Sequence, residues 1–218
     1  MSAQPFANRT AAGQALAERL RSSLDKNALV LGLPRGGVPV AAEVARELAA
    51  PLDVMVVRKL GMPGHEEFAV GAIASGDITV LDEPLIRRLR LDEDALQAVI
   101  DNERRELARR EAAYRGERAY PDLHGRRVIL VDDGIATGAS MRAAIRAVRQ
   151  LGADYCILAV PVAPAEALDS LAAEVDEVVC ASTPENFHAV GQWYIEFGQT
   201  SDAEVRACLA ERAGSADR

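Results

Sequence analysis

The chain of 218 residues is 49% hydrophobic and 27% charged, an ordinary globular balance in a chain long enough to bury a sizeable core. Its formal net charge of −8 argues against a nucleic-acid backbone as partner, since such binding needs a basic surface, but leaves room for a small anionic ligand in a local cationic pocket. No apolar run approaches the ~18 residues of a membrane span, no signal-type segment opens the N-terminus, and the three scattered cysteines form no CxxC pair, so a soluble cytoplasmic protein with reduced thiols is expected.

In chain order, Ala12, Ala15, Leu16, Leu20 and Leu24 repeat at helical spacing and predict an amphipathic helix over 9–24. Residues 28–33 read as a first strand, 34–37 as a turn and 38–49 as an alanine-rich helix. A second strand is expected over 52–57, ending in Arg58 and Lys59, followed by a loop over 60–68 that carries two glycines, a proline and polar residues. Residues 70–74 and 78–81 read as strands joined by the hairpin turn Ser75-Gly76-Asp77.

The stretch 84–118 differs in texture. Asp92 can cap a helix with Glu93 and Asp94 in its first turn, and Leu96, Val99, Ile100 and Leu107 mark one face. The other face interleaves arginines with glutamates, which is the pattern of a solvated, ion-paired surface and not of a nucleic-acid site. A helical insertion within a single domain is expected here. Beyond it follow a strand at 128–131, a helix over 141–151 closed by Gly152, a strand at 155–160, a helix over 164–173 and a last strand at 177–181. Ser201-Asp202-Ala203-Glu204 is a capping box ahead of a C-terminal helix, and residues 213–218 read as frayed. Cys156 and Cys180 fall at the ends of strand-like runs and are expected in the core. Strands alternating with helices predict an α/β fold with a mainly parallel sheet flanked by helices.

Chemistry concentrates at Arg127–Met141, RVILVDDGIATGASM. Val128–Val131 is a continuous apolar run rich in β-branched residues, as in a parallel strand covered on both faces. It ends in Asp132 and Asp133, and a small-residue turn then opens a helix. Ligands of open α/β sheets bind beyond the carboxyl ends of strands, and the amides of a tight turn at a helix N-terminus attract phosphate. Two acceptors for sugar hydroxyls and a phosphate site therefore lie a few residues apart, as a ribose 5-phosphate requires. Gly134 and Gly138 are too close for a nucleotide-triphosphate P-loop and lack its Lys-Ser/Thr pair, and no GxGxxG follows a strand. A merely acidic strand end before a capped helix accounts for either aspartate alone, but not for the pair together with Thr137, Gly138 and Ser140.

Three other places are candidates. In Leu33-Pro34-Arg35-Gly36-Gly37 the glycines permit close approach of backbone to ligand, and Arg35 offers a fork to phosphate oxygens. Arg58 and Lys59 repel each other, so their tips are solvated or matched by an anion. Residues 182–197 hold Phe187, Trp193, Tyr194 and Phe197, four of the chain's nine aromatics; these either stack a planar base or anchor the C-terminal segment on the core. His65, His124 and His188 show no metal-ligand spacing, and no metal-binding residues are assigned.

The signature, a hydrophobic strand, two acidic residues, a short spacer, then Thr-Gly and a small hydroxyl residue opening a helix, resembles the phosphoribosyl-pyrophosphate (PRPP) motif of the type I phosphoribosyltransferases. The likeness spans residues 28–181, and the chain looks closest to bacterial members without an assigned base. It implies a type I phosphoribosyltransferase-like core with a small hood and the helical insertion at about 84–118, with hood and C-terminal segment at about 182–218. It also implies transfer of 5-phosphoribose from PRPP to a nitrogenous base in nucleotide metabolism, with Mg²⁺ and release of pyrophosphate. Position by position, Asp132 and Asp133 would bind the ribose hydroxyls, and Ala136, Thr137, Gly138, Ala139 and Ser140 would cradle the 5-phosphate. Arg35, Gly36 and Gly37 match the pyrophosphate loop, and Arg58 and Lys59 would neutralise the leaving group, with Asp132, Asp133 and Lys59 as the catalytic set. The 60–68 loop resembles a lid with Gly61, Pro63 and Gly64 as its flexible and stiff points, from which His65, Glu66 and Glu67 could reach substrate. Phe187, Trp193 and Tyr194 are the base-binding candidates. No nucleic-acid or membrane partner is implied, and a homodimer is left open. The same fold also serves as a non-catalytic PRPP sensor; retention of Arg58 and Lys59 favours the enzyme.

Overall fold

The computed structural model describes residues 4–23 and 26–213. Five parallel strands, β1 (Ala28–Gly32), β2 (Leu52–Val54), β6 (Arg127–Val131), β7 (Tyr155–Val162) and β8 (Glu177–Ser182), form a sheet in the order β2-β1-β6-β7-β8. Alternate side chains go to opposite faces. Val30, Ile129, Val131 and Ile157 enter one core with α1 (Arg9–Leu20), α2 (Gly37–Glu47) and α7 (Asp202–Ala213). Leu31, Val128, Leu130 and Leu158 enter the other, with α5 (Ala139–Gln150) and α6 (Ala165–Ala172). Both faces are covered, which is why β1 and the apolar part of β6 read as unbroken apolar runs. The expected mainly parallel, helix-flanked sheet is what the chain forms.

The expected strand over 52–57 is a correction. β2 stops at Val54, and the chain leaves the parallel sheet to begin β3 (Val57–Met62), which pairs antiparallel with β4 (His65–Ala74), itself paired with β5 (Ile78–Leu81). Ser75 holds the crossing point: its amide donates to the Val56 carbonyl at 2.9 Å, and its hydroxyl oxygen accepts from the Val56 amide at 3.0 Å. Arg58 and Lys59 therefore lie within a strand, not at its end. The 60–68 segment is likewise a β-hairpin turning at Pro63–Gly64 and not a loop. Its tip from His65 to Ala69 is exposed at every position, so no buried face imposed the alternation by which a strand is recognised.

The antiparallel sheet packs between α5 and α4 (Glu93–Arg115), which follows the short α3 (Glu83–Leu89). Asp92 caps α4 through the Ala95 amide at 2.8 Å, and Leu96, Ile100, Leu107 and Tyr114 form its buried stripe. Near its end the buried Arg115 forks onto Asp53 of β2, Nε to Oδ1 at 2.9 Å and Nη2 to Oδ2 at 3.1 Å. One helix thus ties the antiparallel sheet to the edge of the parallel one. Cys156 is buried and Cys180 partly so, both on the α5–α6 face. Among the described residues no helix is long and apolar enough to cross a membrane. The helix expected over 9–24 is α1 followed by a 3₁₀ turn at Arg21–Ser23; Leu24 and residues 214–218 of the frayed terminus lie outside the described residues.

Candidate functional site

From β1 the sheet grows one way to β2, and from β6 the other way to β7 and β8. The loops leaving the carboxyl ends of β1 and β6 therefore diverge, and a crevice opens between them. Both loops run directly into helices, α2 at Gly37 and α5 at Ala139, and neither helix start has a side-chain cap. The positive ends of two helix dipoles consequently face one crevice, although at α2 the Gly37 and Val38 amides already donate to the Leu33 and Arg35 carbonyls at 3.0 and 3.2 Å and Pro39 has no amide hydrogen.

The first loop is anchored by the Leu33 amide on the Val131 carbonyl at 2.8 Å, and its Pro34–Arg35 peptide bond is cis. Its glycines are required by contact. A Cβ at Gly36 would overlap Asp133 Oδ2, and one at Gly37 would sit 2.8 Å from both Asp132 Cα and the Val131 carbonyl oxygen. The loop backbone thus lies directly on the acidic pair. Arg35 is exposed, with Asp202 of α7 3.8 Å from its guanidinium.

In the second loop the Ile135 amide donates to the Val162 carbonyl at 3.0 Å, and Gly138 takes φ +79°, which lets the chain turn abruptly into α5. Ala136, Thr137, Ala139 and Ser140 are exposed around that turn. Lys59 reaches the same place from β3: it lines a cavity of about 220 Å³ with Val57, Ala139, Ser140 and Arg142. Lys59 Nζ donates to the Glu67 carbonyl at 3.1 Å. Arg58 turns the other way, with Nε donating to Glu103 of α4 at 2.7 Å, so it is not an open cation of the site.

Asp132 and Asp133 are half-buried at the crevice floor. Burial pushes the Asp132 carboxyl well above the usual carboxylate range, and the neighbouring Asp133 charge adds to this. Burial also raises Asp133, opposed by hydrogen bonds from Arg9, whose Nε and Nη2 donate to Asp133 Oδ2 at 2.9 and 2.8 Å. Arg9 escaped the sequence reading: its partner lies 124 residues away. The one local sign is a cation at the first position of α1, where it opposes the helix dipole.

The aromatic segment lies over this floor. Tyr194 is only 6% exposed, its hydroxyl donates to the Asp133 carbonyl at 2.6 Å, and its ring stacks on Phe197 with centroids 5.0 Å apart. It is thus unavailable for stacking a base, and the anchoring alternative is the one the geometry realises there. Phe187 and Trp193 are half-buried against the small cluster of Ala12, Val162 and Tyr194. His65 stands exposed at the hairpin tip. The expected residues Arg35, Gly36, Gly37, Asp132, Asp133 and 136–140 thus meet at one crevice, with Lys59 beside Ala139 and Ser140.

A Mg²⁺ ion finds no protein cage here, since among the described residues no group of three or more His, Cys, Asp or Glu side chains could hold a metal. Two carboxylates at the crevice floor suit the habit of this ion, which takes one or two protein carboxylates together with substrate phosphates and water.

A family model for the phosphoribosyl transferase domain matches residues 6–197. Two proteins of Mycobacterium tuberculosis, from strains H37Rv and CDC 1551, carry provisional phosphoribosyl transferase names and are 50% identical to this chain over 204 residues. The match takes in 94% of this chain but 46% of each relative, so the chain spans about half their length. The crystal structure of TT1426 from Thermus thermophilus superposes with a TM-score of 0.86 at 45% identity, covering 96% of this chain and 99% of that one.

Proposed function

The chain belongs to the type I phosphoribosyltransferase family, and from that premise we propose that it transfers 5-phosphoribose from PRPP to a nitrogenous base, releasing pyrophosphate. The observation that carries the reading is the contact of the Gly36–Gly37 backbone with Asp132 and Asp133 between two uncapped helix starts. That crevice offers two anion sites flanking one diol site, the layout of a sugar bearing a phosphate at one end and a diphosphate at the other. In this reading the α5 turn, with Thr137 and Ser140, holds the 5-phosphate, the aspartates accept from the ribose hydroxyls, and Arg35, beside the positive end of the α2 dipole and the Gly36–Gly37 backbone, holds the diphosphate. The base nitrogen donates its lone pair to the anomeric carbon while the bond to the diphosphate oxygen breaks, and pyrophosphate leaves with the bonding electrons. Positive charge grows on the sugar, where the carboxylates stabilise it, and negative charge grows on the leaving group, which Lys59 would stabilise by leaving Glu67 and swinging across from its place beside Ala139 and Ser140. Mg²⁺ bound with the diphosphate would neutralise charge there.

A second reading, a PRPP sensor without turnover, draws support from the antiparallel sheet, where Arg58 is bound to Glu103 and Lys59 lies 3.7 Å from the Glu67 carboxylate. Labelled PRPP incubated with a panel of purine and pyrimidine bases, with and without Mg²⁺, separates the two. Mg²⁺-dependent pyrophosphate release with one base is the expected result. PRPP binding without release from any base establishes the sensor, and no PRPP binding in calorimetry removes both.

A further inference from the structure

Arg9 is a deeply engaged cation of the crevice that reaches it from α1, outside both loops. Its guanidinium uses three nitrogens: Nε and Nη2 on Asp133 Oδ2, and Nη1 on the Gly198 carbonyl at 2.8 Å. It also lies 4.2 Å from the centroid of the Phe197 ring. The Arg9 and Asp133 side chains are each 14% exposed. A carboxylate held this far from water beside a second one is costly to ionise unless a cation is hydrogen-bonded to it. The cation comes from a position that disfavours it, the first residue of a helix with no acid in its first turn. Room for the pair exists because residue 36 is glycine: a Cβ there would overlap Asp133 Oδ2 and stand 3.2 Å from Arg9 Nη2.

We propose that Arg9 is a positioning residue for Asp133: it takes one carboxylate oxygen, holds the other toward the crevice, and couples that orientation to the wall formed by Phe197 and Gly198. Arg9, Arg35, Gly36, Asp133, Phe197 and Thr200 line one cavity of about 370 Å³, so the pair sits where the pyrophosphate loop meets the 197–200 segment. The inference rests on the ribose role given above to Asp133. Two adjacent carboxylates facing a polyanionic ligand repel it as well as bind its hydroxyls. A guanidinium fixed behind one of them removes much of that repulsion without occupying the ligand's place.

The test is a double-mutant cycle on the whole chain, read by calorimetric PRPP binding with Mg²⁺ and by thermal unfolding. Arg9→Gln should weaken PRPP binding about tenfold or more, the scale of one charge-assisted hydrogen bond. Arg9→Lys, which keeps the charge and loses the fork, should recover part of it. In an Asp133→Asn background Arg9→Gln should change affinity by less than about twofold, because the carboxylate it acts through is gone. An equal loss in both backgrounds would show that Arg9 serves only to hold Gly198 and Phe197, and the proposal falls. Wild-type affinity in Arg9→Gln overturns it too, while leaving PRPP binding itself intact. Absence of PRPP binding by the unaltered chain instead removes the functional reading and this inference with it. Should Arg9→Gln fail to fold, Arg9→Lys enters the same cycle, with about threefold expected and the same criterion.

Discussion

The two sheets of this molecule handle charge in opposite ways. At the carboxyl edge of the parallel sheet the acidic pair is crowded, half-buried and, among the described residues, ion-paired with Arg9 alone, while two helix starts beside it have no side-chain cap. In the antiparallel sheet each cation already has an acid: Glu103 for Arg58, Glu67 for Lys59. The first arrangement stores unfavourable electrostatics that a ligand can relieve, and the second is neutral before any ligand arrives. Topology explains the contrast. A switch point between parallel strands aims backbone groups into a crevice whatever the side chains are, whereas an antiparallel hairpin satisfies its own backbone and contributes only side chains, which find partners nearby. The anchoring half of the site is therefore preformed, and the half that would act on the leaving group must exchange partners to do so.

The sharpest way to break this comparison is at Gly37, where a Cβ would meet the Asp132 backbone and the Val131 carbonyl and no flexible atom could yield. Gly37→Ala should weaken PRPP binding by more than about a hundredfold and cost about 1–3 kcal/mol of stability, as overpacking does. Calorimetry and urea unfolding check both. Stability lost at unchanged affinity would mean that the loop is not at the ligand.

Lys59 comes next and tests the antiparallel half. An interaction that is stronger in the transition state than in the ground state lowers the rate when removed, with little change in substrate affinity. Lys59→Ala should cut turnover about a hundredfold, the scale of losing one preorganised charge contact, while PRPP affinity falls far less. If both fall together, Lys59 is a ground-state anchor and the two sheets do not divide the work as proposed.

These two sites were unequally legible in the sequence. The β6 strand, its aspartates and the glycine pair could be read because a strand covered on both faces leaves an unbroken apolar run, and because the chemistry follows it within a few residues. The β3–β4 hairpin could not, since its exposed tip carries Gly, Pro and acids instead of alternation. Tyr194 was visible as part of an aromatic cluster, but its partner is a backbone carbonyl, which no side-chain pattern announces. Arg9 and Arg115 belong to the same class: each is one of many arginines until the fold brings it to Asp133 or Asp53.

A smaller effect separates the two aspartates. The Asp132 carboxyl is raised well above its usual range by burial and by Asp133. The folded chain therefore holds a proton there over a pH window in which the unfolded chain has lost it. Stability from this group is complete below the ordinary carboxylate pKa and is lost as pH rises through the raised value. Asp132→Asn cannot ionise, so it should gain stability over the unaltered chain as pH rises through that window, with PRPP binding weakened. Asp133→Asn should not show the gain, because it leaves the largely buried Arg9 without its anion. Urea midpoints across pH for the two variants read the difference directly; equal curves would mean that Arg9 does not distinguish the carboxylates.

The smallest expected effect belongs to Arg58, and it decides whether the two cations of β3 act alike. Arg58 and Lys59 are neighbours in a strand, so their side chains leave opposite faces. Lys59 lines the cavity with Ala139 and Ser140, whereas Arg58 Nε donates to Glu103, with the two side chains 27% and 18% exposed. A partly buried pair of this kind holds the sheet on α4 and is worth about 0.5–1 kcal/mol, near the upper end for ion pairs open to water. Arg58→Gln should lower stability by that amount, and adding Glu103→Gln should cost little more, since the pair is already broken. Turnover should fall at least tenfold less than in Lys59→Ala, because the guanidinium has no open path to the leaving group while Glu103 holds it. A loss of turnover equal to that of Lys59→Ala, with stability unchanged, would mean that Arg58 leaves Glu103 during the reaction. The antiparallel sheet would then supply two cations instead of one.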